Sequence, residues 1–154
     1  MAVTTAFCNQ AKLDFLNGVH TAAHTYKLAL IKTGHAGTYG KATTGAGTPG
    51  TGAPTVANLG TDECAASGTY VAGGVTLTGR TVALATDTGY LDFANMAQIT
   101  GFTGSADGCV IYNDSVAGKP VIYVGAFAGA PIVATAGTFD CTIPTSGSGV
   151  IEIL

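Results

Sequence analysis

The stretch "CVIYNDSVAGKPVIYVGAF", Cys109 to Phe127, sets two runs of β-branched and aromatic residues either side of a turn. The first run ends in Asn113-Asp114, a turn pair, and the second opens just beyond it, so the spacing predicts an antiparallel hairpin around Ser115 to Gly118. The same texture continues outward. "GVTLTG" alternates Val75 and Leu77 inward against Thr76 and Thr78, and "TVALAT" continues the inward set with Val82 and Leu84. The phase change near Gly79 predicts a bulge or a strand that switches sheets. "GYLDFA" puts Leu91 and Phe93 on one face, and "MAQITGF" is a weaker strand segment. "TFDCTI" directs Phe139, Cys141 and Ile143 inward, and "GVIEIL" reads as a last strand.

Upstream, "YKLALIK" alternates Tyr26, Leu28 and Leu30 against Lys27, Ala29 and Ile31. "NQAKLDFLN", Asn9 to Asn17, is the one helical segment, with Asn9 as its cap and Gly18 as its stop. Roughly seven to nine short strands joined by Gly, Thr, Asn and Asp turns specify an all-β fold. The expected architecture is an antiparallel β-sandwich or jelly-roll-like domain spanning 1–154, with a short N-terminal helix.

Charge narrows the function. Only 10% of the 154 residues are charged while 47% are hydrophobic, so much of the surface is expected to face other protein. The net charge is −3, and the six basic residues are scattered with no stripe to neutralise phosphates, which argues against a nucleic-acid partner. No run approaches the ~18 apolar residues of a membrane span, and no secretory signal is visible in "MAVTTAFCNQAKLDFL". Synthesis in the cytoplasm, without export, is expected. The four cysteines, Cys8, Cys64, Cys109 and Cys141, form no CxxC pair; they are expected to be reduced thiols, with a disulfide only on later exposure to oxidant.

The segment "GHAGTYGKATTGAGTPGTGAPT", Gly34 to Thr55, imitates a phosphate-binding loop. Its glycines at 34 and 40 are one residue too far apart, Ala42 follows Lys41 where a hydroxyl is needed, and Pro49 and Pro54 preclude the helix that would hold a phosphate. It is read instead as a long, mobile surface arm. His20 and His24 in "HTAAH" have zincin spacing, but Thr21 stands where the glutamate would be, so they are expected as an exposed loop pair rather than a metal site. His35 is expected in the mobile arm without a partner. The serines fall in turns with no G-x-S-x-G elbow, and Cys141 is expected to be an inert core thiol. No catalytic, cofactor-binding or metal residue is assigned, and no cofactor is expected. The six tyrosines read as strand and interface residues rather than a sugar-binding face.

The order of segments, from the N-terminal helix through "YKLALIKTG", "SGTYVAGGVTLTG", "YLDFANMAQITGFTGSADGCVIYND" and "KPVIYVGAF" to "TFDCTIPTSGSGVIEIL", resembles small structural proteins of tailed bacteriophages, the capsid decoration or cement proteins. The resemblance spans the chain outside Gly34–Thr55; its short motifs are "YVAGG" at Tyr70–Gly74 and "IYND" at Ile111–Asp114. It implies a non-enzymatic protein on the outer capsid surface of the virion, bridging major capsid subunits as a dimer or trimer. On that reading the arm and the N-terminus make the contacts, with Ala2, Val3, Phe7, His35, Tyr39, Lys41, Pro49 and Pro54 as candidate contact residues. The alternative is a receptor- or carbohydrate-binding module of a tail fibre or baseplate, although no coiled-coil heptads supply a trimer stem.

Overall fold

The computed structural model describes residues 2–43, 59–143 and 150–153. The chain forms β1 (Ala6–Phe7), α1 (Asn9–Leu16), β2 (Tyr26–Lys32), a 3₁₀ turn (Gly60–Asp62), β3 (Val75–Leu77), β4 (Thr81–Ala85), β5 (Thr88–Asp92), β6 (Ile99–Asn113), β7 (Val121–Ala126), β8 (Ile132–Phe139) and β9 (Ile151–Ile153). It is an all-β sandwich with antiparallel sheets and a short N-terminal helix, as the alternation and turn chemistry specify. The larger sheet runs β1-β7-β6-β2-β3, with β8 also paired to β6; the smaller runs β4-β5-β9.

The hairpin of Cys109–Phe127 is present, pairing Val110 with Val124 and Ile111 with Tyr123. Its first strand is much longer than expected. β6 extends back to Ile99 and carries two partners in turn along one edge. Gly108–Tyr112 pairs with β7, and Ile99–Ala106 pairs with β8, which follows β7 after a turn. On its other edge β6 pairs with β2, from Tyr26↔Asn113 to Lys32↔Ala106. Register shifts between Ile99 and Gly104, with Gly101 at φ +67°, interrupt the β8-paired part of the strand, and the β2 register also shifts at Ile31/Lys32, opposite the point where β8 gives way to β7. β2 therefore lies inside the sheet, and the expected two-faced split of its residues is corrected: Tyr26, Leu28, Ala29, Leu30 and Ile31 are all buried.

The switch near Gly79 is a real change of sheet. β3 pairs with β2 in the larger sheet, while β4 begins the smaller one after Gly79 at φ +63°. The two sheets meet where Phe93 packs on Tyr26, ring centroids 5.4 Å apart, with the Arg80 guanidinium over the same Tyr26 ring. Phe102 is completely buried between Tyr70 and Phe139, at 5.9 and 5.5 Å. Burying a side chain of this kind contributes about 1.5–3 kcal/mol.

α1 starts at the expected cap, Asn9, so that Cys8 occupies the N-cap position in extended geometry and gives no side-chain capping bond. The Asn9 amide, orphaned at the helix start, donates instead to the Lys41 carbonyl at 2.8 Å. Gly18 does stop the helix, in the left-handed conformation at φ +69°. The loop 63–74 seals the β2/β6 region through Cys64 N–H to Leu30 O and Thr69 N–H to Thr100 O, both 3.0 Å. Two glycines are required there. A Cβ at Gly68 would collide with the Thr100 carbonyl, and one at Gly74 with the Leu28 carbonyl, both at positive φ.

Candidate functional site

The smaller sheet carries the surface that sequence patterning placed inside. Cross-strand register aligns Val82, Leu91 and Ile151 in one row and Leu84, Gly89 and Ile153 in the next, all on one face. Leu91 and Ile151 are buried, but Val82 is 62% exposed, Leu84 73% and Ile153 61%. The expectation that Val82 and Leu84 point into the core is thus corrected: their alternation is genuine, but nothing among the described residues covers that end of the sheet. α1 extends the face. Leu16, 87% exposed, lines a depression of about 270 Å³ with Phe7, Lys12, Phe15, Glu152 and Ile153. A second depression of about 190 Å³, walled by Val82, Leu91 and Ile151, shares Phe15 and Ile153 with the first. The result is one apolar strip across α1, β9 and β4, with Lys12, Arg80 and Glu152 as the charged groups among the residues lining the two depressions. Both outer strands of this sheet, β4 and β9, are edges. Apolar surface next to unpaired strand edges suits contact with another protein chain.

The histidines of "HTAAH" are not an exposed pair. His20 is buried and His24 partly so, and Asn113 Nδ2 reaches both rings, at 3.1 Å to His20 Nδ1 and 2.9 Å to His24 Nδ1. The Ser115 amide donates to Asn113 Oδ1, which fixes the amide's orientation, so Nδ2 gives one hydrogen to each ring. Each Nδ1 is therefore an acceptor, and the proton of each neutral ring sits on Nε2. Burial, the largest influence, pulls the His20 pKa below its ordinary value; Asp14 opposes this, and His24 and Arg80 reinforce it. His20 Nε2 lies 3.8 Å from Asp14 Oδ2. The cluster clamps the start of β2 to the end of β6. Among the described residues no group of three or more His, Cys, Asp or Glu side chains is placed to hold a metal ion.

The first part of the Gly34–Thr55 segment, residues 34–43, is folded onto the body, which corrects the mobile-arm reading for that part. Asp62, on the 3₁₀ turn, accepts from the Ala36 and Gly37 amides at 2.8 Å each and from the Tyr39 hydroxyl at 2.7 Å. Burial alone would raise the Asp62 pKa, but these donors outweigh it and hold the carboxyl below its usual range. His35 has partners after all. Its Nδ1–H donates to Gly37 O at 2.7 Å, its ring packs edge-on against Tyr39, and Nε2 is 3.7 Å from Asp107 Oδ2. Residues 44–55 of the segment, with Pro49 and Pro54, lie outside the described residues.

The candidate contact residues separate accordingly. Ala2 and Lys41 are exposed. Val3 forms a parallel bridge with Tyr39, and Phe7 belongs to β1, paired with Tyr123 of β7. His35 and Tyr39 are buried, so their side chains serve the chain's own interior and offer little surface to a partner. The N-terminus and the start of the arm do touch, but each other: Thr4 N–H donates to Tyr39 O and Tyr39 N–H to Ala2 O. The Val82–Leu84–Ile153 face was not singled out in the sequence, although charge-free alternation in "TVALAT" carries its signal. Comparison with known proteins finds no matching family model, no matching curated protein and no matching solved structure.

Proposed function

We propose that the protein is a non-enzymatic structural component of a tailed-phage virion that binds the outer capsid surface and bridges neighbouring major capsid subunits. The observation that carries a binding role is the apolar strip of Leu16, Val82, Leu84 and Ile153 beside two strand edges. Its occupant is a capsid subunit; the segment order resembling decoration proteins supplies that identity. A partner that binds only the assembled, expanded shell stabilises it by its own binding free energy. If copies associate as dimers or trimers, several such strips engage one shell at once and weak contacts add.

The test is co-sedimentation with empty expanded heads of the encoding phage, with unexpanded proheads alongside. Saturable binding to expanded heads at a simple fraction of the subunit number is the expected result. Failure to bind either particle overturns the proposal, and saturable hits on a glycan array would then support the tail-module alternative.

A further inference from the structure

Cys109 on β6 and Cys141, two residues beyond β8, line the same cavity of about 490 Å³ together with Tyr123, Phe127, Ile132 and Phe139. The two thiols face this shared space closely enough for each to shift the other's ionisation. Room for the Cys109 thiol exists because residue 125, its cross-strand partner, is glycine: a Cβ there would come within 3.1 Å of Cys109 Sγ. Cys109 is buried, whereas Cys141 is partly exposed at the cavity wall. We propose that Cys109 and Cys141 are a reversible dithiol–disulfide site, oxidised by low-molecular-weight disulfides that enter this cavity, and that the bond ties the C-terminal segment leading to β9 onto the larger sheet.

The two thiols have distinct parts. The neighbouring Cys109 thiol lowers the Cys141 pKa, against burial and the nearby Asp140 charge, while Cys141 and burial raise that of Cys109. Cys141 is the attacking thiolate. It displaces one thiolate from the small disulfide and forms a mixed disulfide at Cys141. Cys109 then gives its proton to solvent and attacks Cys141 Sγ, expelling the second thiolate. Two protein S–H bonds become one S–S bond, and the incoming disulfide leaves as two thiols. Cys8 and Cys64 do not take part: burial pushes both up to about 12.

The consequence is mechanical. β9 is an edge strand of the smaller sheet, held by three residue pairs to β5. A cross-link between 109 and 141 fixes the chain ten residues before Ile151 and closes a loop in the unfolded state, which favours the folded one. Reduced inside a cell and oxidised outside it, the site would tighten the protein after release.

The experiment treats the full-length native protein with oxidised glutathione or the neutral hydroxyethyl disulfide, then maps peptides by mass spectrometry. The expected product has lost two hydrogens, links the peptides of Cys109 and Cys141, and melts roughly 5 °C or more above the reduced form, reversibly with dithiothreitol. In Cys109→Ser the mixed disulfide has no resolving thiol and accumulates on Cys141; Cys141→Ser forms no adduct at Cys109. Iodoacetamide should label Cys141 at least ~10-fold faster than Cys8 or Cys64. Linkage of any other pair, or native protein that keeps both thiols free, overturns the proposal without reliance on either variant.

Discussion

The Tyr39 hydroxyl donates to Asp62 Oδ2 at 2.7 Å inside the protein, joining the start of the glycine-rich segment to the 3₁₀ turn 23 residues later. Asp62 also takes the Ala36 and Gly37 amides. Tyr39→Phe keeps the ring against His35 but leaves a buried carboxylate one donor short. The expected cost is about 1–3 kcal/mol in urea denaturation. Because the folded Asp62 pKa is held down, its contribution is present above the ordinary carboxylate range and is lost as pH falls through the folded value. The variant should therefore lose less stability than wild type between pH 5 and pH 3, ranges of about that width following from the reference value near 4. Equal acid sensitivity would remove Tyr39 from this role.

His20 supplies a second pH dependence, at higher pH. Its folded pKa is depressed, so the unfolded chain takes up a proton more readily than the native one. Stability should be full above about pH 6.5, the unfolded value, and decline as pH falls below it. Asn113→Ala removes the donor to both rings and the acceptor of the Ser115 amide, and should cost about 2–4 kcal/mol at neutral pH. A wild-type urea midpoint that stays flat from neutral to mildly acidic pH would contradict the assignment of a neutral, accepting His20 ring.

Three glycines at positive φ should respond very differently to alanine. Gly18 has open space around it, so Gly18→Ala meets only the backbone penalty of about 1–2 kcal/mol. Gly68→Ala and Gly74→Ala add collisions with the backbones of Thr100–Gly101 and Leu28, and should cost about 2–4 kcal/mol or prevent folding. Thermal melts of the three variants check the order.

The apolar strip should be dispensable for folding and necessary for binding. Leu84→Glu and Ile153→Glu place charge on exposed side chains, and each should shift stability by no more than about 0.5 kcal/mol. The double variant should lose co-sedimentation with expanded heads at unchanged melting temperature. Retained binding would move the contact elsewhere on the surface.

Some of this was legible in sequence because it is local. Alternation, the Asn113-Asp114 turn, the Gly18 stop and the Gly79 phase change are properties of a few consecutive residues, and each corresponds to an element in the structure. β8 and the first half of β6 were not read in full because glycine and alanine interrupt them. Only pairing with each other, at the β6 edge that β7 has vacated, makes "IVATAGTF" a strand.

What the sequence determined by itself was therefore the class of fold and the low charge of the chain, since side-chain period and composition act without knowledge of neighbours. The tertiary structure alone decided which apolar residues stay uncovered and which polar ones go inside. Val82 and Leu84 have the same pattern as Val75 and Leu77, yet Leu77 is buried and Leu84 is 73% exposed. His20 and Asp62 look like loop residues until donors distant in the chain, Asn113 and Tyr39, arrive to satisfy them. Burial and hydrogen-bond satisfaction depend on what lies opposite, and that is fixed only when the whole chain has closed.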